Sequence, residues 1–283
     1  MKTSILSPRV KGADYKPDIL KHVQIMGILN VTPDSFSDAG VYFSKDVAIE
    51  HALAMENEGA DIIDIGAEST RPGADMVSDA EQLRRIEDIV KTLAKKLKIP
   101  ISIDTSSSEV AKRCLDLGAS IINDISALRK DPKLGPVIAK YNAGAVLMHM
   151  KGTPRTMQQN PQYDDLILEI IDFLRKAKAK AISCGIKEDN IIIDPGIGFG
   201  KTTEHNLSIL KFLSSFKILG SPILIGTSRK SFIGDVLGLP ISERAFGTAA
   251  SCVIAILNGA KILRVHDVKQ IKQVTALTEA INN

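Results

Sequence analysis

The sequence predicts an α/β chain folded as a closed (β/α)8 barrel of the TIM type. Three observations predict it: eight short β-branched runs recur along the chain, helix-length amphipathic segments alternate with them, and no linker interrupts the series within 283 residues. Alternation of this kind builds a parallel sheet with helices outside it. Eight units that use up the chain fit closure better than an open sheet, and about 250 residues is the ordinary size of such a barrel as one domain.

The elements follow in order. Residues 1–22 read as an N-terminal extension and 23–283 as the barrel domain. The eight runs are VQIMGIL before Asn30, DIIDIG around Asp64, ISID ending at Asp104, SIINDI around Asn123, AVLM ending at Met148, IIID ending at Asp194, ILIG ending at Gly226 and KILRV near His266. Helices are expected over Lys45 to Glu58, Asp79 to Leu97, Glu109 to Leu117 and Asp164 to Cys184, where apolar residues fall three and four apart. Gly59, Gly118 and Gly185 follow these segments where a left-handed C-terminal cap is wanted. The repeat GA(D/S)II at Gly59 and Gly118, echoed by GAKIL at Gly259, marks one helix-to-strand junction three times.

Composition narrows the function classes. Hydrophobic residues at 44% and charged residues at 24% are ordinary globular usage, which excludes disordered and fibrous chains. A formal charge of only +3 without a single-sign run gives no electrostatic footprint for nucleic acid or an anionic membrane. The opening segment has no signal-peptide core, and no stretch has the roughly 20 apolar residues that span a bilayer. A cytoplasmic protein with small-molecule partners is expected. Cys114, Cys184 and Cys252 are odd in number and lack CxxC spacing, so they read as reduced core thiols. The five His lack HExxH or similar spacing, so any metal is expected to arrive with substrate oxygens rather than in a protein cage.

In this fold class the site forms at the C-terminal ends of the strands. Asn30, Asp104, Asn123, Asp194, Lys230, Arg264 and His266 all lie at or just after the end of an apolar run. Any one alone reads equally well as a cap or a rim hydrogen bond; seven together indicate a site. Arg264 and His266, two apart on a strand, point the same way and read as two cationic donors converging on one point, against the plainer reading of a rim pair neutralised by Asp267. The segment GTSRKS, Gly226 to Ser231, opens a helix and suits an anion, with Lys230 and Ser231 facing a carboxylate or phosphate, although Ser228 as a simple cap is the plainer alternative.

The run DPGIGFGKT, Asp194 to Thr202, is neither a P-loop nor a GxGxxG fingerprint, because Pro195 and Lys201 stand where glycine is required. Its glycines allow a tight turn beside a flat ligand, with Phe199 as an aromatic wall or as core packing. Carboxylates at Asp104 and Asp194, the amide of Asn123 and the ammonium of Lys230 together match the edge of an aminopyrimidinone ring better than an acid/base pair. Two further segments, NVTPDSFSDAG from Asn30 and GAESTRPG from Gly66, are rich in turn residues and suit ligand-ordered loops, and helix capping leaves Arg71 unexplained.

Taken together, GILNVTPDSFSD, DIGAESTRPGA, ISIDTSSSEVA, INDISAL, MHMKGTPRTMQ, DPGIGFGKTTEHNL, GTSRKSFIG and RVHDV, running from about Ile25 to Val268, resemble the dihydropteroate synthase family of pterin-binding barrels. The resemblance implies an enzyme that joins a dihydropterin diphosphate to p-aminobenzoate with release of pyrophosphate, in a homodimer. It implies a ring site of Asp104, Asn123, Asp194 and Lys230 between Met148 and Phe199, and a diphosphate site of Arg264 and His266 aided by Thr70 and Arg71. It further implies Mg²⁺ held by Asn30, a p-aminobenzoate pocket of Phe36, Pro72 and Ser231, and Asp34 closing over the reacting centre. Lys230, Arg264, His266 and Asp34 are the residues it places in catalysis. Ala39 and Ala67 stand where family members often have Gly, which removes no chemical group. The rivals are a corrinoid-linked methyltetrahydrofolate methyltransferase on a related barrel, which would not need Arg264 with His266, and a non-catalytic pterin-binding barrel, which should have lost Asn30, Arg71 or Lys230.

Overall fold

A computed structural model describes residues 22–31, 45–68 and 77–282. Eight parallel strands close into one barrel in strict sequence order: β1 (Gln24–Asn30), β2 (Ile62–Gly66), β3 (Ile101–Asp104), β4 (Ile121–Asp124), β5 (Gly144–Met148), β6 (Ile191–Asp194), β7 (Ile223–Ile225) and β8 (Ala260–Val265). Each of the eight anticipated runs is a strand, and β8 pairs with β1 to close the ring, with Met26 opposite Arg264.

Around the sheet lie α1 (Lys45–Asn57), α2 (Asp79–Lys96), α3 (Ser108–Asp116), α4 (Leu134–Lys140), α5 (Leu166–Ser183), α6 (Thr203–Lys211), α7 (Ser231–Leu237), α8 (Ala245–Leu257) and α9 (Val268–Asn282). The four anticipated helices fall within about two residues of their expected ends, the usual spread of helix boundaries. Gly59, Gly118, Gly185 and Gly259 all have φ between 94° and 113°, so the repeated junction is a repeated left-handed cap that an L side chain resists. Two helices, α7 and α8, rather than one, separate β7 from β8.

The packing has two apolar layers. Outward-facing strand residues such as Ile25, Ile63, Ile103 and Leu147 pack against the buried stripes of the helices. Inside the ring, Met26, Ile62, Ile121, Val146, Ile192, Leu224 and Ile262 form a separate cluster, one residue from every strand except β3, which contributes the buried Ser102. Among the described residues no helix is long and apolar enough to cross a membrane.

Candidate active site

Side chains two apart on a strand share a face and are about 6.5–7 Å apart along it. Two residues beyond the interior apolar cluster therefore lies the next interior layer, Ile28 on β1 followed by Asp64, Asp104, Asn123, Met148, Asp194, Gly226 and Arg264, and with it the character changes from apolar to largely polar. The apolar layer floors the polar one and shields it from solvent on that side.

Asp64 is fully buried, and its Oδ2 accepts from Arg264 Nε at 2.6 Å and from Asn123 Nδ2 at 3.0 Å. Arg264 also donates from Nη2 to Asp104 Oδ2 at 2.9 Å, so one guanidinium joins β8 to β2 and β3. Burial works against the Arg264 charge, but the two carboxylates outweigh it and hold its pKa above the usual arginine value. Burial pushes the Asp104 carboxyl up; Arg264 opposes that shift and the negative charges around Asp104 add to it. Two acids sharing one cation leave the layer an acceptor short of donors, suited to a ligand that brings N–H groups. Asp64 was not singled out from sequence, although its place two residues after Ile62 repeats the relation of Asp194 to Ile192. Its Oδ1 is buried with no hydrogen-bond partner among the described residues, a further opening for a donor.

Asp194 ends β6 and accepts from the Gly196 N–H at 2.7 Å. Burial raises its carboxyl to about 6, against the pull of that N–H and of Lys230, Lys201 and Arg264. The following turn runs through Gly196, Gly198 and Gly200, all at φ between 67° and 81°, and a Cβ on Gly196 would collide with the His149 carbonyl oxygen. The glycines thus permit the close approach expected of them, and the turn carries Phe199 to the mouth. Lys230 sets its Nζ 4.2 Å from the centre of the Phe199 ring, a cation–π contact from across the opening, and burial lowers its ammonium to about 8. Met148 and Met150 with Met157, and with Phe199 packed against them, make the apolar wall beside this turn. Two buried groups here escaped the sequence reading, Lys201 and His149.

His266 follows the end of β8, with its ring Nδ1 3.0 Å from Ser228 Oγ and its backbone N–H donating to the same oxygen at 3.2 Å. Burial and the Arg264 charge pull the imidazole down to about 4, so it is neutral at pH 7. This corrects the expectation of two cations at this point: Arg264 supplies the charge, and His266 is a neutral hydrogen-bonding ring. Asp267 pairs with Arg229, not with Arg264, through Nε at 3.2 Å and Nη2 at 2.5 Å. Ser228 does not cap α7, since Lys230 occupies the cap position without a side-chain bond, and Ser231 is exposed on the first turn.

Asn30 ends β1 beside Gly66, whose missing side chain leaves an opening bordered by Asn30 Oδ1 and Asp104 Oδ2. Oxygens are the donor type that a hard cation takes. Among the described residues no cluster of three His, Cys, Asp or Glu could hold a metal, so such an ion would draw most of its ligands from substrate and water. Asp34, Phe36, Thr70, Arg71 and Pro72 lie outside the described residues.

Residues 26–266 match the family model described as pterin binding enzyme. A curated relative, the dihydropteroate synthase of Bacillus subtilis, is 45% identical over 282 residues, covering 100% of this chain and 95% of its own length. The chain belongs to the dihydropteroate synthase family. A crystal structure of the Yersinia pestis dihydropteroate synthase with a sulfonamide drug complex superposes with a TM-score of 0.89 at 43% identity, covering 94% of this chain and 96% of that one. The Xanthomonas albilineans dihydropteroate synthase in complex with 7,8-dihydropteroate superposes with a TM-score of 0.84 at 36% identity, covering 93% and 94%. Family membership with this coverage sets aside the methyltransferase rival.

Proposed function

We propose that the chain condenses 6-hydroxymethyl-7,8-dihydropterin diphosphate with p-aminobenzoate to give 7,8-dihydropteroate and pyrophosphate. The observation that carries this reading is the polar layer over an apolar floor, in a chain whose relatives include an enzyme bound to 7,8-dihydropteroate. Its donors and acceptors complement a pterin edge: Asp194 and Asp104 accept from ring N–H groups, Asn123 does both, and Lys230 donates to ring acceptors. Met148 and Phe199 would flank the ring faces.

The arylamine lone pair attacks the pterin methylene, the C–O bond to diphosphate breaks, and its electron pair leaves with the diphosphate. Positive charge develops on a ring that delocalises it, and negative charge gathers on the leaving group, where Arg264 and Lys230 stabilise it and His266 donates a neutral hydrogen bond. The attacking amine is neutral at pH 7 and loses its proton only after bonding, so no strong base is needed. Asp34 is the acceptor proposed for that proton. Thr70 and Arg71 would join the diphosphate site and Phe36, Pro72 and Ser231 the p-aminobenzoate pocket. Asn30 would hold Mg²⁺, which when bound neutralises charge on the diphosphate. A homodimer in the cytoplasm is proposed too, supported by the exposed Val236, Leu237, Ile241 and Phe246 on one run of chain. Incubation with both substrates and Mg²⁺ should yield dihydropteroate; folded protein that yields none overturns the reading.

A further inference from the structure

Lys201 is a buried cation that makes no direct contact in the ring and diphosphate sites described above. It is 3% exposed, on the segment between β6 and α6, and its Nζ donates to His149 Nδ1 at 2.9 Å and to the Phe199 carbonyl at 3.0 Å. His149, just past β5, stacks edge-on against Phe173 with ring centres 4.8 Å apart. Burial and the nearby cations hold its imidazole down at about 2, so it stays a neutral acceptor. The backbone N–H of His149 donates to the Asp194 carbonyl at 2.9 Å. Lys201 therefore ties the end of β5 to the turn that bears both Asp194 and Phe199.

An ammonium out of water is unfavourable unless its charge is compensated. His149 and Phe199 offer neutral acceptors, and the Asp194 carboxylate favours the charged ammonium through space, without a direct hydrogen bond to it. We propose that Lys201 is a positioning residue for pterin recognition: it fixes the turn presenting Asp194 and Phe199, and its charge keeps Asp194 in the carboxylate form that accepts ring N–H groups. This inference rests on the reading of Asp194 as a ring acceptor.

The groups acting on Asp194 come from three places: the Gly196 N–H and Lys201 on its own segment, Lys230 between β7 and α7, and Arg264 on β8. Burial lowers Lys201 to about 7, against the pull of Asp194 and with the push of Lys230. Lys201 is thus charged in the range where Asp194 would otherwise take up a proton, and its influence fades above neutrality, where Asp194 is ionised without help.

The test is calorimetric titration of a pterin lacking the diphosphate, without Mg²⁺, from about pH 5.5 to 8.5. In Lys201→Met the acid limb of affinity should move up by about 1 pH unit, the effect of removing a nearby opposite charge. The pH-dependent part of the loss is then about fivefold at pH 6 and vanishes at the alkaline end, where only the pH-independent loss from the turn no longer held remains, while Lys201→Arg restores the limb. A loss of the same factor at every pH, or an unmoved limb, overturns the proposal and leaves Lys201 a packing residue. If the unaltered chain binds no pterin at any pH, the reading of the site itself falls, and the inference with it. Should Lys201→Met not fold, carbon-13 titration of the Asp194 carboxyl in the unaltered chain decides. A second inflection at the Lys201 midpoint supports the coupling, and a single step overturns it.

Discussion

At the scale of the residue, Asp194 combines a demanding task with an unfavourable setting. Its carboxyl is raised by burial from the ordinary aspartate value to about 6, so the stability it contributes is complete below the unfolded value and is lost as pH rises through 6. Ionised Asp194 therefore works against the fold at pH 7 and for the ligand. Asp194→Asn is expected to lower pterin affinity at least tenfold, each charge-assisted contact being worth about 1.5–3 kcal/mol. The urea midpoint at pH 7 should not fall; a fall would mean that the carboxylate stabilises the fold instead. Asp64 and Asp104 are expected to divide differently. Asp64→Ala removes the acceptor of both Arg264 and Asn123 and should cost about 3–5 kcal/mol in urea unfolding, as loss of one partner of a buried ion pair does. Asp104→Ala, nearer the mouth, should cost less stability for a larger loss of pterin affinity; equal stability losses would erase the distinction between a brace and a ligand contact.

At the scale of the element, the strands were legible because a parallel barrel demands continuous short apolar runs, and this chain writes each with Ile, Leu or Val. Period two then made Asp104, Asn123 and Asp194 visible as strand-end polar groups. Asp64 hid because its run continues with Ile65 and Gly66, so it reads as the middle of a strand and not as its end. Lys201 and His149 hid for another reason: pairing between β5 and the turn after β6 is a tertiary contact that no local pattern encodes. The charge state of His266 is set by burial, which sequence spacing does not carry. The turn after β6 also makes a sharp prediction. Gly196→Ala meets both a φ of 73° and the His149 carbonyl, so it should destabilise by about 2–4 kcal/mol and weaken pterin binding. Gly238→Ala, at φ 68° with nothing within 4 Å, isolates the backbone cost and should be clearly milder by thermal unfolding.

At the scale of the whole molecule, the outer surface is uneven. Phe246 is 90% exposed and Ile241 and Val236 more than half exposed, next to the segment that carries Lys230. Phe246→Glu should convert a dimeric species to monomer in light scattering without lowering the thermal midpoint of the monomer; an unchanged mass would show that this face is not the contact. The seam of the barrel has a different consequence, one for the order in which the molecule comes into being. β8 meets β1 across almost the whole chain, and the same strand carries Arg264 to Asp64, 200 residues away in sequence. Contacts of such long range form late, because the chain entropy lost in bringing their ends together comes before any gain. During synthesis seven strands emerge while Asp64 and Asp104 still lack their shared cation. The nascent chain thus holds a half-built ring with unpaired acids at its centre, and the last strand completes the wall and the binding layer in a single event.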